Sequence, residues 1–222
     1  MSLLRTILMA SLTPLPSKLK IAVYRHVFGF DVAADARIGF SLITCSNLSV
    51  GSGAGIGHMN VIKGNMALRM GARSSIGQFN WITGGNTDPR YFRDFERSSE
   101  LVLGDDSSIT SRHIFDCTDS VEIGNFTTIA GYRSSIITHG IDYRASQQSC
   151  GGIKIGDRCL IGSNSVILMG VSLADRSIVA AGSVLTKSTD SELGLWAGVP
   201  ARRTKDLTGE EGYFRRENGH IY

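Results

Sequence analysis

Five histidines hold most of the acid–base chemistry open to this chain near neutral pH: His26, His58, His113, His139 and His220. Imidazole is the natural group to take a proton from a hydroxyl, because its ordinary pKa lies close to the working pH. His139 stands in IITHGID, where a regular repeat ends and a polar segment begins. Asp142, three residues on, is a candidate to orient its ring, and a backbone carbonyl would serve equally. His113 stands in TSRHIFDCTDSV, with Asp116 as a candidate partner. It reads either as a hydrogen-bonding group for a substrate or as a subunit contact. His58 follows Gly57 and reads as a surface residue, His26 belongs to the N-terminal segment, and His220 to a polar tail. These three read as structural or solvated. No Ser-His-Asp arrangement is visible, and neither a P-loop nor a G-x-G-x-x-G run is present.

The remaining bulk features narrow the class. The chain has 222 residues, enough for one domain with a substantial core. Its net charge of +3 is mild, and no dense Lys/Arg stripe with interleaved aromatics argues for nucleic acid. Cys45, Cys117, Cys150 and Cys159 form no C-x-x-C pair and no secretory signal is evident, which points to a reduced, cytoplasmic protein. Cys159 falls where a repeat calls for a small residue and reads as packing. Residues 1–35 differ in kind: Leu3, Leu4, Ile7, Leu8, Leu12, Leu15 and Leu19 mix with Arg5, Lys18, Lys20 and Arg25. Pro14 and Pro16 interrupt the run, so the apolar piece is too short to span a bilayer. It reads as a helical cap on the core, as a segment lying on an anionic membrane surface, or as both.

What must position the histidines is a period of six. Ile155, Ile161, Ile167, Leu173 and Val179 recur without a miss. The same spacing runs through Ile38, Thr44, Val50, Ile56, Ile62 and Leu68, through Met70, Ile76 and Ile82, through Leu103, Ile109, Phe115 and Val121, and through Ile123 and Ile129. A helix would give spacings of three and four, a strand two. Six fits a short strand plus a turn, with one aliphatic side chain inward per unit and three units closing a triangular coil. Gly often follows the aliphatic residue, as in Ile56-Gly57 and Leu103-Gly104, and is expected to turn the corner at positive φ. Stacked coils would pair as parallel strands. Two segments leave the repeat, 86–100 and 140–152, and loops on a rigid scaffold are where binding groups tend to sit. The repeat proper spans 36–190. Residues 191–222 form a C-terminal segment whose tail, from Thr208, is expected to leave the fold.

The hexads, the stretch GSVLTKS and the later WAGVPARRTKDL resemble the hexapeptide-repeat acyltransferases, over Ile38 to about Leu207. Residues 108–142 resemble most the branch that O-acetylates sugars during polysaccharide assembly. The resemblance implies an all-β fold, a left-handed parallel β-helix with a short N-terminal helical cap and a C-terminal extension. It implies acetyl-CoA as acyl donor, no metal, and His139 as the catalytic base in direct transfer, with His113 the second catalytic candidate. Relatives carry an acceptor-lining Asn near His113, and no Asn stands in register here. The donor would lie along small residues, Gly162, Ser163, Ala180, Ala181 and Gly182. Lys187 and Arg202, or Arg203, would meet its phosphates, and Gly198, Val199 and Pro200 its adenine. Trp196 would pack there or seal the coil. The implied acceptor is a sugar or lipid-linked sugar, with Asp88, Arg90, Tyr91, Arg93 and Tyr143 as loop candidates. The implied assembly is a homotrimer in the cytoplasm, at the inner face of the membrane where the N-terminal segment lies on lipid. Similar folds in the gamma-class carbonic anhydrases bind zinc through an H-x4-H pair, but here the nearest histidines are 26 apart. Two other readings stay open: a scaffold without catalysis, and N-acetylation of an amino sugar.

Overall fold

The computed structural model of the chain describes residues 2–86, 88 and 90–221. Short parallel strands dominate, and their register states the architecture. Arg37 lies beside Gly55, Leu160 beside Ile178 and Val166 beside Val184, a step of 18 residues, or three hexads, in each case. The chain is therefore a mostly-β solenoid of parallel strands with three faces. The first face runs from Arg37–Ile38 through Ser108–Ile109 and Leu160–Ile161 to Gly194–Gly198. The second contains Trp81–Gly84, Ile114–Cys117, Ser135–Ile137, Val166–Ile167 and Val184–Leu185. The third contains Glu100–Leu103, Val121–Ile123, Ile153–Ile155 and Ser172–Leu173, and the long strands Leu42–Val50 and Val61–Met70 run on from the second face into it.

Inward columns on each face fill the interior. Ile38, Ile56, Ile76, Ile109, Ile129, Ile161 and Val179 line the first, and Ile62, Ile82, Phe115, Ile136, Ile167 and Leu185 the second, all buried. Each fully buried aliphatic side chain contributes ~1.5–3 kcal/mol. The hexad reading fails at Thr44. Ile43 is the residue registered against Ile62, so the inward position falls one residue earlier.

The glycines after the aliphatics do not turn the corner. None of Gly57, Gly77, Gly104 or Gly124 has positive φ. They are small because the next coil is close: a Cβ on Gly57 would sit 2.3 Å from the Gly77 carbonyl oxygen, and one on Gly104 2.6 Å from the Gly124 carbonyl carbon. The corners are made by other residues, in the left-handed region and mostly not glycine. Arg73, Asp106, Phe126, Arg158 and Arg176 stack along one edge, and Met59, Phe79, Arg112, Arg133 and Asn164 along another. Each such residue costs ~1–2 kcal/mol. An inter-coil hydrogen bond offsets it: Asp106 donates its N–H to the Ala72 carbonyl at 3.0 Å, Phe126 to Asp105 at 2.9 Å and Arg158 to Asn125 at 2.8 Å.

Helices α1 (Leu3–Ser11) and α2 (Ser17–His26) cap the first coil, burying Met9, Leu12, Ile21 and Tyr24. Buried Lys20 donates to the Gly39 carbonyl, and burial pushes its ammonium pKa down. The polar segment after His139 is an antiparallel hairpin, His139–Asp142 with Gln147–Cys150. The tail does not leave the fold. Its helix α3 (Gly212–Arg215) buries Phe214, Tyr213 donates to the Cys159 carbonyl at 2.7 Å, and Arg158 donates to the Phe214 carbonyl at 2.6 Å. The four cysteines are free and buried.

Candidate active site

The strand Ile114–Cys117 lies beside Ser135–Ile137, with Asp116 opposite Ile137. That register carries the Asp116 carboxylate to the start of the hairpin, where His139 stands. Asp116 Oδ2 accepts from His139 Nδ1 at 2.6 Å, from the Thr138 N–H at 3.0 Å and from the His139 N–H at 3.1 Å. Its Oδ1 accepts from the Thr118 hydroxyl at 2.7 Å and the Thr118 N–H at 3.1 Å. Burial pushes this carboxyl pKa up, but the hydrogen bonds from Thr118 and His139 outweigh burial and hold it below its ordinary value. An ionised Asp116 therefore fixes the proton of His139 on Nδ1 and leaves Nε2 as the basic nitrogen. The His139 side chain is 42% exposed, so that nitrogen is accessible.

Asp142 is not the orienting group. It accepts from the Arg144 and Ala145 N–H groups in the hairpin turn, at 2.9 and 3.2 Å. Sequence proximity favoured Asp142. The signal for Asp116 was the coil register, which brings residues one turn apart side by side.

The ring of His139 borders a cavity of about 420 Å³. Its floor is Thr83, Gly84 and Gly85, its walls Tyr91 and Phe92 from the first loop and Gln148 from the hairpin. The Phe92 ring meets His139 edge-on at 6.2 Å. Arg97 packs 4.7 Å over Phe92 and donates to the Thr118 carbonyl at 3.0 Å, tying the loop to the site. Beyond Tyr91 and Phe92 opens a basin of about 640 Å³, lined by Arg90, Arg93, Asp94, Ile141 and Gln147 among others. Arg90 pairs with Asp88 at 2.6 Å and holds that carboxyl below its ordinary pKa. Tyr143 is 81% exposed, at the far end of the hairpin, and lines neither cavity.

His113 belongs elsewhere. It is buried at the corner between the first and second faces, one rung of a polar ladder. Its backbone N–H donates to Asn80 Oδ1 at 2.9 Å, and its Nδ1 accepts the Ser134 N–H at 3.1 Å. With Nδ1 accepting, Nε2 carries the proton toward Thr110 Oγ1, 3.0 Å away. Asn60, bonded to Ser41 and Asn80, continues the ladder on one side, and Ser134, bonded to Ser165, on the other. Burial lowers the His113 pKa to about 4. Both ring nitrogens are engaged and Asp116 is not a partner, so His113 is corrected from a catalytic candidate to a neutral structural group. His58 is likewise structural, its Nδ1 accepting the Phe40 N–H at 3.1 Å. A third cavity, about 620 Å³ under Pro14–Ser17, includes His58 and is otherwise lined largely by backbone and apolar groups.

The small residues predicted to meet an acyl donor fall together. Gly162 and Ser163, then Ala180, Ala181 and Gly182, then Gly198–Pro200, follow first-face strands on three successive coils, and Gly182 donates to the Ser163 carbonyl at 2.9 Å. Gly198 donates to Ser183 Oγ at 3.2 Å. Arg202 is exposed in the terminal hairpin, whereas Arg203 is tied to Asp206 at 2.7 Å. Trp196 is registered against Val179 and packs on the core, sealing the first face. Lys187 is exposed on the other edge of the second face, the edge that carries His139. Within one chain, then, His139 and the small-residue edge flank opposite sides of the second face. Among the described residues no group of three or more His, Cys, Asp or Glu is arranged to hold a metal ion.

Residues 152–187 match the family model described as the hexapeptide repeat of succinyl-transferase. YvoF of Bacillus subtilis (strain 168) is 35% identical over 69 residues, 31% of this chain, and the match spans only 38% of that relative. The galactoside O-acetyltransferase of Escherichia coli (strain K12) is 26% identical over 153 residues, 64% of this chain and 68% of that enzyme. Among solved structures, a hexapeptide-repeat acetyltransferase of Vibrio cholerae O1 biovar eltor complexed with acetyl coenzyme A is 20% identical, with 92% of this chain and 86% of that one covered and a TM-score of 0.46. An N-acyltransferase from Bacillus cereus, in complex with dTDP and coenzyme A, is 17% identical over 87% of this chain and 92% of that one, with a TM-score of 0.47. The hexads in coil register, the repeat matched at residues 152–187 and the similarity to a galactoside O-acetyltransferase support a place among the hexapeptide-repeat acyltransferases.

Proposed function

We propose that the protein transfers an acetyl group from acetyl-CoA to a sugar hydroxyl, in surface polysaccharide biosynthesis, on a left-handed coil. The observation that carries this reading is the Asp116–His139 pair, whose free Nε2 borders a cavity between two loops. In the step, Nε2 takes the proton of the acceptor hydroxyl as that oxygen attacks the thioester carbon. Backbone N–H groups of the small-residue edge, near Ala181, steady the oxyanion. The C–S bond then breaks, and the thiolate leaves with the proton held on Nε2. Asp116 stays ionised throughout and stabilises the transient imidazolium. No acyl-enzyme is needed. Lys187 and Arg202 carry the cationic charge for the donor's phosphates.

The assembly is read as a homotrimer. One outward column of the second face is Leu42, Val61, Trp81, Ile114, Ser135, Val166 and Val184, apolar but for Ser135, with Trp81 47% and Ile114 49% exposed and Lys63 lying over the Trp81 ring. The third face instead turns Arg69, Glu122, Lys154 and Ser172 outward. A single apolar face is what a cyclic interface needs. Three copies joined there bring the His139 edge of one beside the small-residue edge of the next, which completes the site. The acyl donor then sets the compartment as the cytoplasm.

The test is free-thiol release from acetyl-CoA with a panel of sugar, lipid-linked sugar and amino-sugar acceptors, for the native protein and His139→Ala. Acceptor-dependent release that falls at least ~100-fold in the variant supports the transferase and the base together. Release confined to amino sugars would move the reading to N-transfer. No release and no CoA binding in titration would leave a scaffold.

A further inference from the structure

We infer that the α1–α2 cap is a docking surface for an anionic lipid bilayer, and that the enzyme works at a membrane. Helix α1 turns Met9 and Leu12 into the core and leaves Leu3, Leu4, Ile7 and Leu8 76, 77, 57 and 45% exposed. Positions i, i+1, i+4 and i+5 share one side of a helix, so these four form a single apolar face. Such a contiguous face on a surface helix marks an interaction site.

Charge identifies the occupant. Four of the 23 Lys and Arg, and none of the 20 Asp and Glu, lie in residues 1–30. The chain's net charge of +3 therefore resides in the cap, because the remainder carries 19 basic against 20 acidic residues. Arg5 is spent inside, stacked 5.6 Å from Phe28 and Phe30, and Lys20 is buried. Lys18 and Arg25 are exposed, and with a spacing of seven they lie on one stripe of α2. A cap with an apolar helix face and exposed basic side chains, whose first acid in the chain is Asp31 beyond α2, suits acyl chains under anionic headgroups. It suits a second copy of itself poorly, since two such caps would bring like charges together.

Placement supports the same partner. The cap closes one end of the coil rather than a lateral face, so it stays free when the second face is taken by neighbouring subunits. In the trimer read above, three caps share one end and meet a flat surface at once. Single-helix binding is weak and reversible, and three helices on one rigid body multiply it. The membrane contact itself does not depend on the acyl-transfer reading.

The experiment is co-sedimentation of the full chain with vesicles of phosphatidylcholine alone or with about 30% phosphatidylglycerol, beside sedimentation velocity without lipid. The expected result is binding to the anionic vesicles, falling at least ~100-fold in Leu3→Ser/Leu4→Ser/Ile7→Ser and ~10-fold in Lys18→Glu/Arg25→Glu. All five side chains are exposed, so the fold should survive, and unchanged thermal unfolding checks this. Absence of binding to the anionic vesicles would overturn the proposal, as would binding that the serine variant leaves intact. A native protein that self-associates through the cap, and dissociates in the serine variant, would also overturn it by assigning the face to a second copy.

Discussion

His113 and His139 belong to neighbouring coils and open or close neighbouring strands of the same face, yet they do opposite things. His113 sits at the edge where the chain turns without interruption. The imidazole is one rung among Asn80 and Ser134, each bonded to the coil above or below. His139 sits at the edge where two insertions leave the coil. There the ladder stops, a carboxylate replaces the next rung, and the ring meets a cavity instead of a backbone. The scaffold is the same on both edges. What leaves one histidine free for the proposed role of base is the interruption of the repeat beside it.

The largest expected effect breaks the comparison at His139. His139→Ala should lower kcat by ~10³-fold and leave the unfolding midpoint nearly unchanged, since the side chain is partly exposed. His113→Ala should do the reverse. It removes the partner of the Ser134 N–H and opens a buried cavity, at about 3–4 kcal/mol. The protein that still folds should keep kcat within ~3-fold. Steady-state kinetics paired with denaturant titrations on both variants checks this. A large kcat loss in folded His113→Ala would undo the division of roles.

Asp116 comes next, because it serves stability and, in the proposed step, chemistry. Asp116→Asn puts an NH₂ where Oδ2 now accepts four hydrogen bonds, or else loses the pair on Oδ1. A fall in kcat of ~10²-fold and a cost of about 2–3 kcal/mol are expected together. Asp142→Asn should do neither. If Asp142→Asn lowers kcat as much as Asp116→Asn, the orienting role is not where the register puts it.

These contrasts mark what the sequence could disclose. The period of six is local, one aliphatic choice repeated every unit, and Ile155 to Val179 displayed it openly. The Asp116–His139 pair is not local. It depends on the coil register that sets Asp116 opposite Ile137, 21 residues on, whereas Asp142 is nearer to His139 in the chain. The tail reads as polar, but Tyr213, Phe214 and Arg216 find partners at Cys159, Arg158 and Phe126, more than 50 residues away. The glycines stand where the repeat predicts them, but for a different physical reason. Crowding by a neighbouring coil and a need for positive φ select the same residue, and only coordinates separate the two.

The pH dependence of stability sharpens the comparison further. His113 titrates at about 4 when folded, below its ordinary value near 6.5, because burial disfavours the cation. The unfolded chain therefore binds a proton here that the folded chain refuses, and stability falls as pH drops from about 6.5 to about 4. The contribution lost is up to about 3 kcal/mol. Asp116, with its folded pKa depressed, adds a loss only at lower pH, as its carboxylate protonates. Thermal unfolding followed from pH 7 to about pH 4 should show a steeper decline in the native protein than in His113→Asn, which has no proton to accept. Equal slopes would mean that another group governs acid sensitivity.

The smallest effects test why the coil turns. Gly57→Ala must move the Gly77 carbonyl, which would lie 2.3 Å from the new methyl carbon. Backbone on both sides is held in parallel pairing, so the strain has no cheap outlet, and a loss of about 2–4 kcal/mol is expected. Arg133 has a φ of 63° and an exposed side chain. Arg133→Gly removes the left-handed penalty but gives the unfolded chain more freedom, and the two nearly cancel, within about 1 kcal/mol. Denaturation midpoints of the two variants decide the matter. A harmless Gly57→Ala would mean that the coils have slack at that corner, and the glycine would then need another explanation. A costly Arg133→Gly would mean that side-chain contacts, and not the inter-coil hydrogen bond from the Arg133 N–H to the Arg112 carbonyl, hold the corner in place.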